Sequence, residues 1–150
     1  MKHTHENDTL DFLIAQVSHL HYSRMIQLLE GLGLYRGQPL VIEILWQKEG
    51  LTQVELARQM NNSQATVTKM LQRMEKAGFI LRKPDPADQR IMRVYLTETG
   101  RKIKKDVDQV HMKMENESFQ DFTEADRQVF RLYLLRLLAA MQNACDRRDE

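Results

Sequence analysis

Residues 51–97, LTQVELARQMNNSQATVTKMLQRMEKAGFILRKPDPADQRIMRVYLT, decide the fold. Thr52 and Glu55 have the T-x-x-E spacing of a capping box, and Leu51 can staple onto Leu56 across it, so a helix is fixed at its first turn. That helix carries Val54, Leu56, Ala57 and Met60. Asn61-Asn62 supplies a turn, and Ser63 a hydroxyl cap for a second helix, Gln64 to Ala77. Gly78 ends this helix. Phe79 to Lys83 is then extended until Pro84 and Pro86, and Ile91 to Leu96 returns as a strand alternating Met92, Val94 and Leu96 with Ile91, Arg93 and Tyr95.

Helix, tight turn, helix and two short strands around a polar loop is the order of a winged helix-turn-helix. The expected fold is therefore mainly α with a small β-wing. On the second helix Val67, Met70, Leu71 and Met74 recur at three- and four-residue spacing and form one apolar face. The opposite face is Ala65, Thr68, Lys69, Gln72 and Lys76, flanked by Gln64, Thr66 and Arg73, with Ser63 at the cap. Small residues admit the helix to a major groove, glutamine pairs with adenine, lysine and arginine with guanine or phosphate, and threonine methyls meet thymine methyls. A plain solvated face has the same composition; its place behind a capped helix and a turn favours DNA.

The polar loop, Asp85 to Arg90, allows three uses of its charges. Arg90 or Arg93 can enter a minor groove, Asp88 can hold an arginine in pose, or all can simply solvate a hairpin.

These residues carry a resemblance. Asp88-Gln89-Arg90, followed by Leu96-Thr97 and Gly100, matches the D-x-R…L-T-x-x-G signature of the MarR family of bacterial transcription regulators. LTQVELA and SQATVTKMLQRMEKAGFI resemble that family's helix-turn-helix, densely so from Leu51 to Gly100 and in element order over nearly the whole chain. The resemblance implies a homodimer acting as a repressor on a pseudo-palindromic double-stranded DNA site. Its second helix would lie in the major groove and its wing arginine in the minor groove, with the wing aspartate paired to an arginine. It also implies release by a small ligand, often a phenolic or other aromatic acid, bound between the dimerisation helices and the reading unit. His21, Tyr22, Met25 and Trp46 are candidates to line such a cleft, and ordinary core is the plainer reading of each.

Around the winged unit, taken as residues 38–97 of a single domain 1–150, residues 8–31 and 98–146 are expected to form dimerisation helices. The first starts near Asp8 or Thr9 and runs to Glu30, with Leu10, Leu13, Ile14, Val17, His21, Met25, Leu28 and Leu29 on one broad face. Pro39 suits the first turn of a helix running to about Lys48, with Leu40, Ile44, Leu45 and Trp46 inward. Thr97 caps a long helix seamed by Ile103, Val107, Val110 and Met114, and Thr123 with Asp126 begins the last. Leu132, Leu134, Leu135, Leu137 and Leu138 cover more than one face of that last helix, more than a small monomer can bury. Dimerisation accounts for them, and two half-sites one DNA turn apart, about 34 Å, require it.

With 150 residues and 42% hydrophobic content the chain suffices for one domain with a core. Net charge is +1, yet residues 51–101 hold nine Lys/Arg against five Asp/Glu, so positive charge concentrates where phosphates would lie. No apolar run is long enough to span a bilayer and the first residues lack a leader's apolar stretch, so a cytoplasmic protein without membrane contact is expected. One cysteine, Cys145, excludes an internal disulfide framework. His3, His5, His19, His21 and His111 form no H-x-x-x-H pair, and no C-x-x-C occurs, so no metal site is assigned. No nucleophile motif or glycine-rich phosphate loop is present, and neither enzymatic activity nor a cofactor is expected. Three alternatives stand beside the DNA-binding regulator: a winged-helix protein–protein module, a metal-responsive regulator, and a thiol-responsive one using Cys145.

Overall fold

Hydroxyl side chains start five of the seven helices of the described residues. In the computed structural model, which describes residues 9–147, Thr9 accepts from the Phe12 amide at the head of α1 (Leu10–Glu30). Thr52 accepts from Glu55 at α3 (Gln53–Gln59), and Ser63 from Thr66 at α4 (Gln64–Lys76). Thr97 accepts from Gly100 at α5 (Glu98–Lys102), and Thr123 from Asp126 at α7 (Glu124–Asp146). Each cap satisfies an amide that the first turn leaves without a partner, an effect worth about 1 kcal/mol. At Thr52 the box is reciprocal. The Glu55 carboxylate takes the Thr52 amide at 2.7 Å, and that bond is the main reason its pKa lies below the usual carboxylate range.

The remaining elements are α2 (Gln38–Gln47), β1 (Leu51–Thr52), β2 (Ile80–Pro84), β3 (Met92–Leu96) and α6 (Lys104–Ser118). The strands form an antiparallel sheet in the order β1-β3-β2, with Leu51 opposite Val94 and Ile80 opposite Leu96. The sheet thus has a third strand beyond the two expected. β1 is two residues long and doubles as the cap of α3, so it has no alternation for a sequence reading to find. Leu51, expected as a staple, is buried in it.

The core gathers Leu34, Val41, Ile42, Leu45, Leu56, Val67, Leu71, Met74, Ile80, Val94 and Leu96, with Ile103 and Val107 from beyond the sheet. In α2 the buried stripe is Gln38, Val41, Ile42 and Leu45, while Leu40 is exposed, against expectation. QPLVIEILWQ is apolar nearly all round, so composition leaves the phase of this helix open, and packing sets it. Ile44 and Trp46 lie partly buried at the core edge, and Trp46 Nε1 donates to the Gly100 carbonyl at 2.9 Å. Val54 is exposed, and so is Met92, which pairs with Pro84 at the far end of the hairpin, away from the helices. The helix begun at Glu98 is interrupted at the buried Ile103, giving α5 and α6 where one helix was expected.

Two compact units divide the chain, one up to Met112 and one from Lys113. The first therefore runs past Thr97, because Ile103 and Val107 enter the same core as the helix-turn-helix. In the second, Phe119, Phe122 and Phe130 form an aromatic cluster with centroids 5.4–5.9 Å apart. No residue of α7 is buried, and Leu132, Leu135 and Leu138 are each more than half exposed. On α1 only Leu29 is buried. No helix of the described residues is long and apolar enough to cross a membrane.

Candidate nucleic-acid interface

α4 buries Val67, Leu71 and Met74 completely and half-buries Met70, as its spacing predicts. The outward face carries Gln64, Ala65, Thr66, Lys69, Gln72, Arg73 and Lys76, all exposed, with Thr68 also on the solvent side. These side chains fall into two groups. Ser63, Thr66 and Thr68 use their hydroxyls locally: Ser63 and Thr66 lie 2.8 Å apart, and Thr68 donates to the Gln64 carbonyl at 2.7 Å. Lys69, Gln72, Arg73 and Lys76 make no hydrogen bond or ion pair among the described residues, so their donors are free for a ligand.

Glu75, the one acidic residue on α4, is taken out of play. Arg82 of β2 donates to it from Nε at 3.0 Å and from a terminal nitrogen at 2.6 Å, which lowers its pKa and neutralises its charge beside the outward face. The end of the helix is fastened as well. Gly78 adopts φ +81°, Thr97 Oγ1 donates to the Gly78 carbonyl at 2.5 Å, and the Thr97 amide donates to the Phe79 carbonyl at 3.0 Å.

The wing is organised by an aspartate other than the expected one. Asp85, buried, accepts from the amides of Ala87 at 2.7 Å and Asp88 at 3.1 Å, and from Arg93 Nε. Arg93 also donates to the Gly50 carbonyl at 2.7 Å, so this arginine ties the hairpin to the turn before β1 rather than projecting from it. Asp88 holds no arginine side chain here; its carboxylate accepts from the Arg90 amide at 3.0 Å and shapes the tip. The geometry of the hairpin sets these partners. A cation on β3 lies alongside the start of the loop, so the Asp85 carboxylate meets Arg93 across the hairpin, whereas Asp88 sits at the tip and is within reach of backbone only. Arg90 is exposed and its guanidinium is free among the described residues.

Arg93 and the two amides hold the Asp85 carboxyl below its usual range, and the same pair raises the Arg93 pKa. For a lowered carboxyl the stabilisation is present above the unfolded pKa and is lost as pH falls through the folded one. Asp85→Ala is therefore expected to speed hydrogen exchange of the Ala87 and Asp88 amides at neutral pH. The difference from the parent should close as acid protonates Asp85, and identical exchange at neutral pH would deny Asp85 this role.

Sequence reasoning also missed Gln53, whose side-chain amide donates to Thr68 Oγ1 and reaches the Gln64 carbonyl at 3.4 Å. A glutamine just after a helix cap carries no signal until its partner one helix later is known. Of the expected cleft residues, Met25 and Trp46 pack on the core, Tyr22 lies under the Arg36 guanidinium at 5.5 Å, and His21 is exposed. His111 Nε2 lies 3.6 Å from Glu43, and the described residues contain no group of three metal-ligating side chains. His3 and His5 lie outside the described residues. Cys145 is an exposed thiol on α7.

A capped helix, a turn, a second helix with a free cationic face and a braced hairpin define a winged helix-turn-helix protein. The MarR family model matches residues 34–92. An organic hydroperoxide resistance transcriptional regulator of Bacillus subtilis is 33% identical over 102 residues, 68% of this chain and 69% of that regulator. TtmR, an HTH-type transcriptional regulator of Methylorubrum extorquens, is 35% identical over 71 residues, 47% of this chain but only 36% of TtmR. Among solved structures, MepR, a transcription regulator of the Staphylococcus aureus multidrug efflux pump MepA, superposes with a TM-score of 0.78 at 24% identity, covering 89% of this chain and 98% of MepR. A mutant of MepR bound to an oligodeoxyribonucleotide gives 0.66 at 25% identity, with the same coverage. The chain belongs to the MarR family. It is thus a DNA-binding transcription regulator and not an enzyme.

Proposed function

We propose that this regulator acts in the cytoplasm as a homodimer on a pseudo-palindromic double-stranded site, as a repressor released by a small aromatic or phenolic acid. Residues 38–97 are the reading unit, and residues 8–31 and 98–146 join two copies. Ser63, Gln64, Ala65, Thr66, Thr68, Lys69, Gln72, Arg73 and Lys76 meet the major groove, and Arg90 the minor groove. Asp88 shapes the loop that presents Arg90, and Arg93 braces it from the sheet. The observation that carries this reading is the row of free donors on α4, beside an acid already neutralised by Arg82. A protein-binding module would show apolar anchors on that face; α4 presents none there.

The test begins with selection of bound sequences from random DNA. On the selected site, Lys69→Ala and Arg73→Ala are expected to weaken binding with little change in melting temperature. A lost base contact costs about 1–3 kcal/mol and relaxes one position, whereas a lost phosphate contact weakens all sequences alike and flattens the salt slope. Arg90→Ala should lose most affinity where the flanks are A·T-rich, since a narrow minor groove has the strongest negative potential. Variants that bind like the parent at every salt concentration would refute the assignment of this face, and equal losses of Arg90→Ala on A·T and G·C flanks would reduce that arginine to a phosphate contact.

A further inference from the structure

Gln53, the first residue of α3, and Thr68, in the second turn of α4, form a side-chain contact between the two helices. Thr68 Oγ1 has one proton, which it donates to the carbonyl of Gln64 at 2.7 Å. On its other side the oxygen accepts from Gln53 Nε2, and the same amide group lies 3.4 Å from the Gln64 carbonyl. The hydroxyl is thus occupied as donor and as acceptor, and the χ1 angle of Thr68 is set by two partners. A threonine so held has no proton left to donate to a base edge, and one of its two acceptor lone pairs is taken by the Gln53 amide. Its other branch is a methyl group, on a residue between the exposed Ala65, Lys69 and Gln72.

We propose that Thr68 is a specificity-determining residue that selects a thymine through its 5-methyl group, and that Gln53 is the positioning residue that keeps the Thr68 methyl outward. The inference rests on α4 reading the major groove, and it deepens that reading by naming the base. Thymine alone among the four bases shows a methyl group in the major groove. Without the Gln53 amide the second acceptor site of the Thr68 oxygen is freed and its side chain is no longer held from that side, and water or a cytosine or adenine amino group competes for the position.

Deoxyuridine differs from thymidine by that methyl alone, so the experiment replaces each thymine of the selected site in turn by uracil. With the parent protein, one thymine in each half-site is expected to lose about fourfold in affinity on replacement, the value of one buried methyl at ~0.8 kcal/mol. Thr68→Val, which keeps a methyl, should preserve that ratio. Thr68→Ser should bind the thymine and uracil sites alike. Gln53→Ala should bring the thymine-to-uracil ratio toward one while leaving the melting temperature close to the parent's. A parent protein that binds its site tightly but is indifferent to uracil at every thymine overturns the proposal, as does a Thr68→Ser variant that keeps the parent's ratio. Failure to select any sequence at all would instead refute the major-groove reading on which the proposal rests.

Discussion

Gly100→Ala is expected to destabilise the protein by about 3 kcal/mol or more, lowering its melting temperature by roughly 6–12 °C. A Cβ at this position would lie 2.0 Å from the Phe79 carbonyl oxygen, a backbone atom that cannot turn aside as a side chain can. Phe79 is held in turn, since its carbonyl accepts from the Thr97 amide and its side chain is buried. The Gly100 carbonyl also receives Trp46 Nε1, so a displaced α5 breaks a second bond and should alter indole fluorescence. Gly78→Ala is the control. Its Cβ would meet nothing within 4 Å, and the variant should lose only the roughly 1 kcal/mol that a left-handed conformation costs a non-glycine residue. Equal melting temperatures for the two variants would show that close approach is not what position 100 requires.

The second large effect concerns α7. With Leu135 and Leu138 exposed at 56% and 54% on a helix that buries no residue, a single copy leaves much apolar surface in water. Leu135→Glu combined with Leu138→Glu is expected to convert a sedimenting dimer into a folded monomer. Affinity for a two-half-site DNA should fall by a factor on the order of 10²–10⁴, while a single half-site is bound as weakly as by one head of the parent. A double variant that still sediments as a dimer at micromolar concentration would place the interface elsewhere.

Legibility in the sequence varies with how local the cause is. Helix starts are plain because a cap is a contact between residues three apart, and all of the threonine and serine caps read from spacing are present, from Ser63 to Thr123. The apolar stripe of α4 is plain because its opposite face is polar. α2 is not, since an all-apolar segment has no preferred side until a core exists. β1 is not, because Leu51-Thr52 becomes a strand only by pairing with Val94 and Arg93, about forty residues later. The L-T-x-x-G signature can be recognised without being understood. Its meaning lies in Leu96 buried in the core, Thr97 joined to Gly78 and Phe79, and Gly100 pressed on Phe79. The wing aspartate escapes a sequence reading for the same reason: Asp85 meets Arg93 only once β2 and β3 have aligned.

The fastening of α4 at both ends has a mechanical consequence. Gln53 holds its first turns through Thr68, Arg82 holds its last turn through Glu75, and Thr97 holds Gly78 just beyond it. Three clamps resist a swivel of α4 in its seat, so in the proposed regulator a ligand signal would move the helix-turn-helix as a body. DNA fixes the distance between successive major-groove faces at about 34 Å. Control of the proposed homodimer would then work as a caliper does: shape at each jaw stays constant, and occupancy depends on whether the gap between the jaws matches the helical repeat.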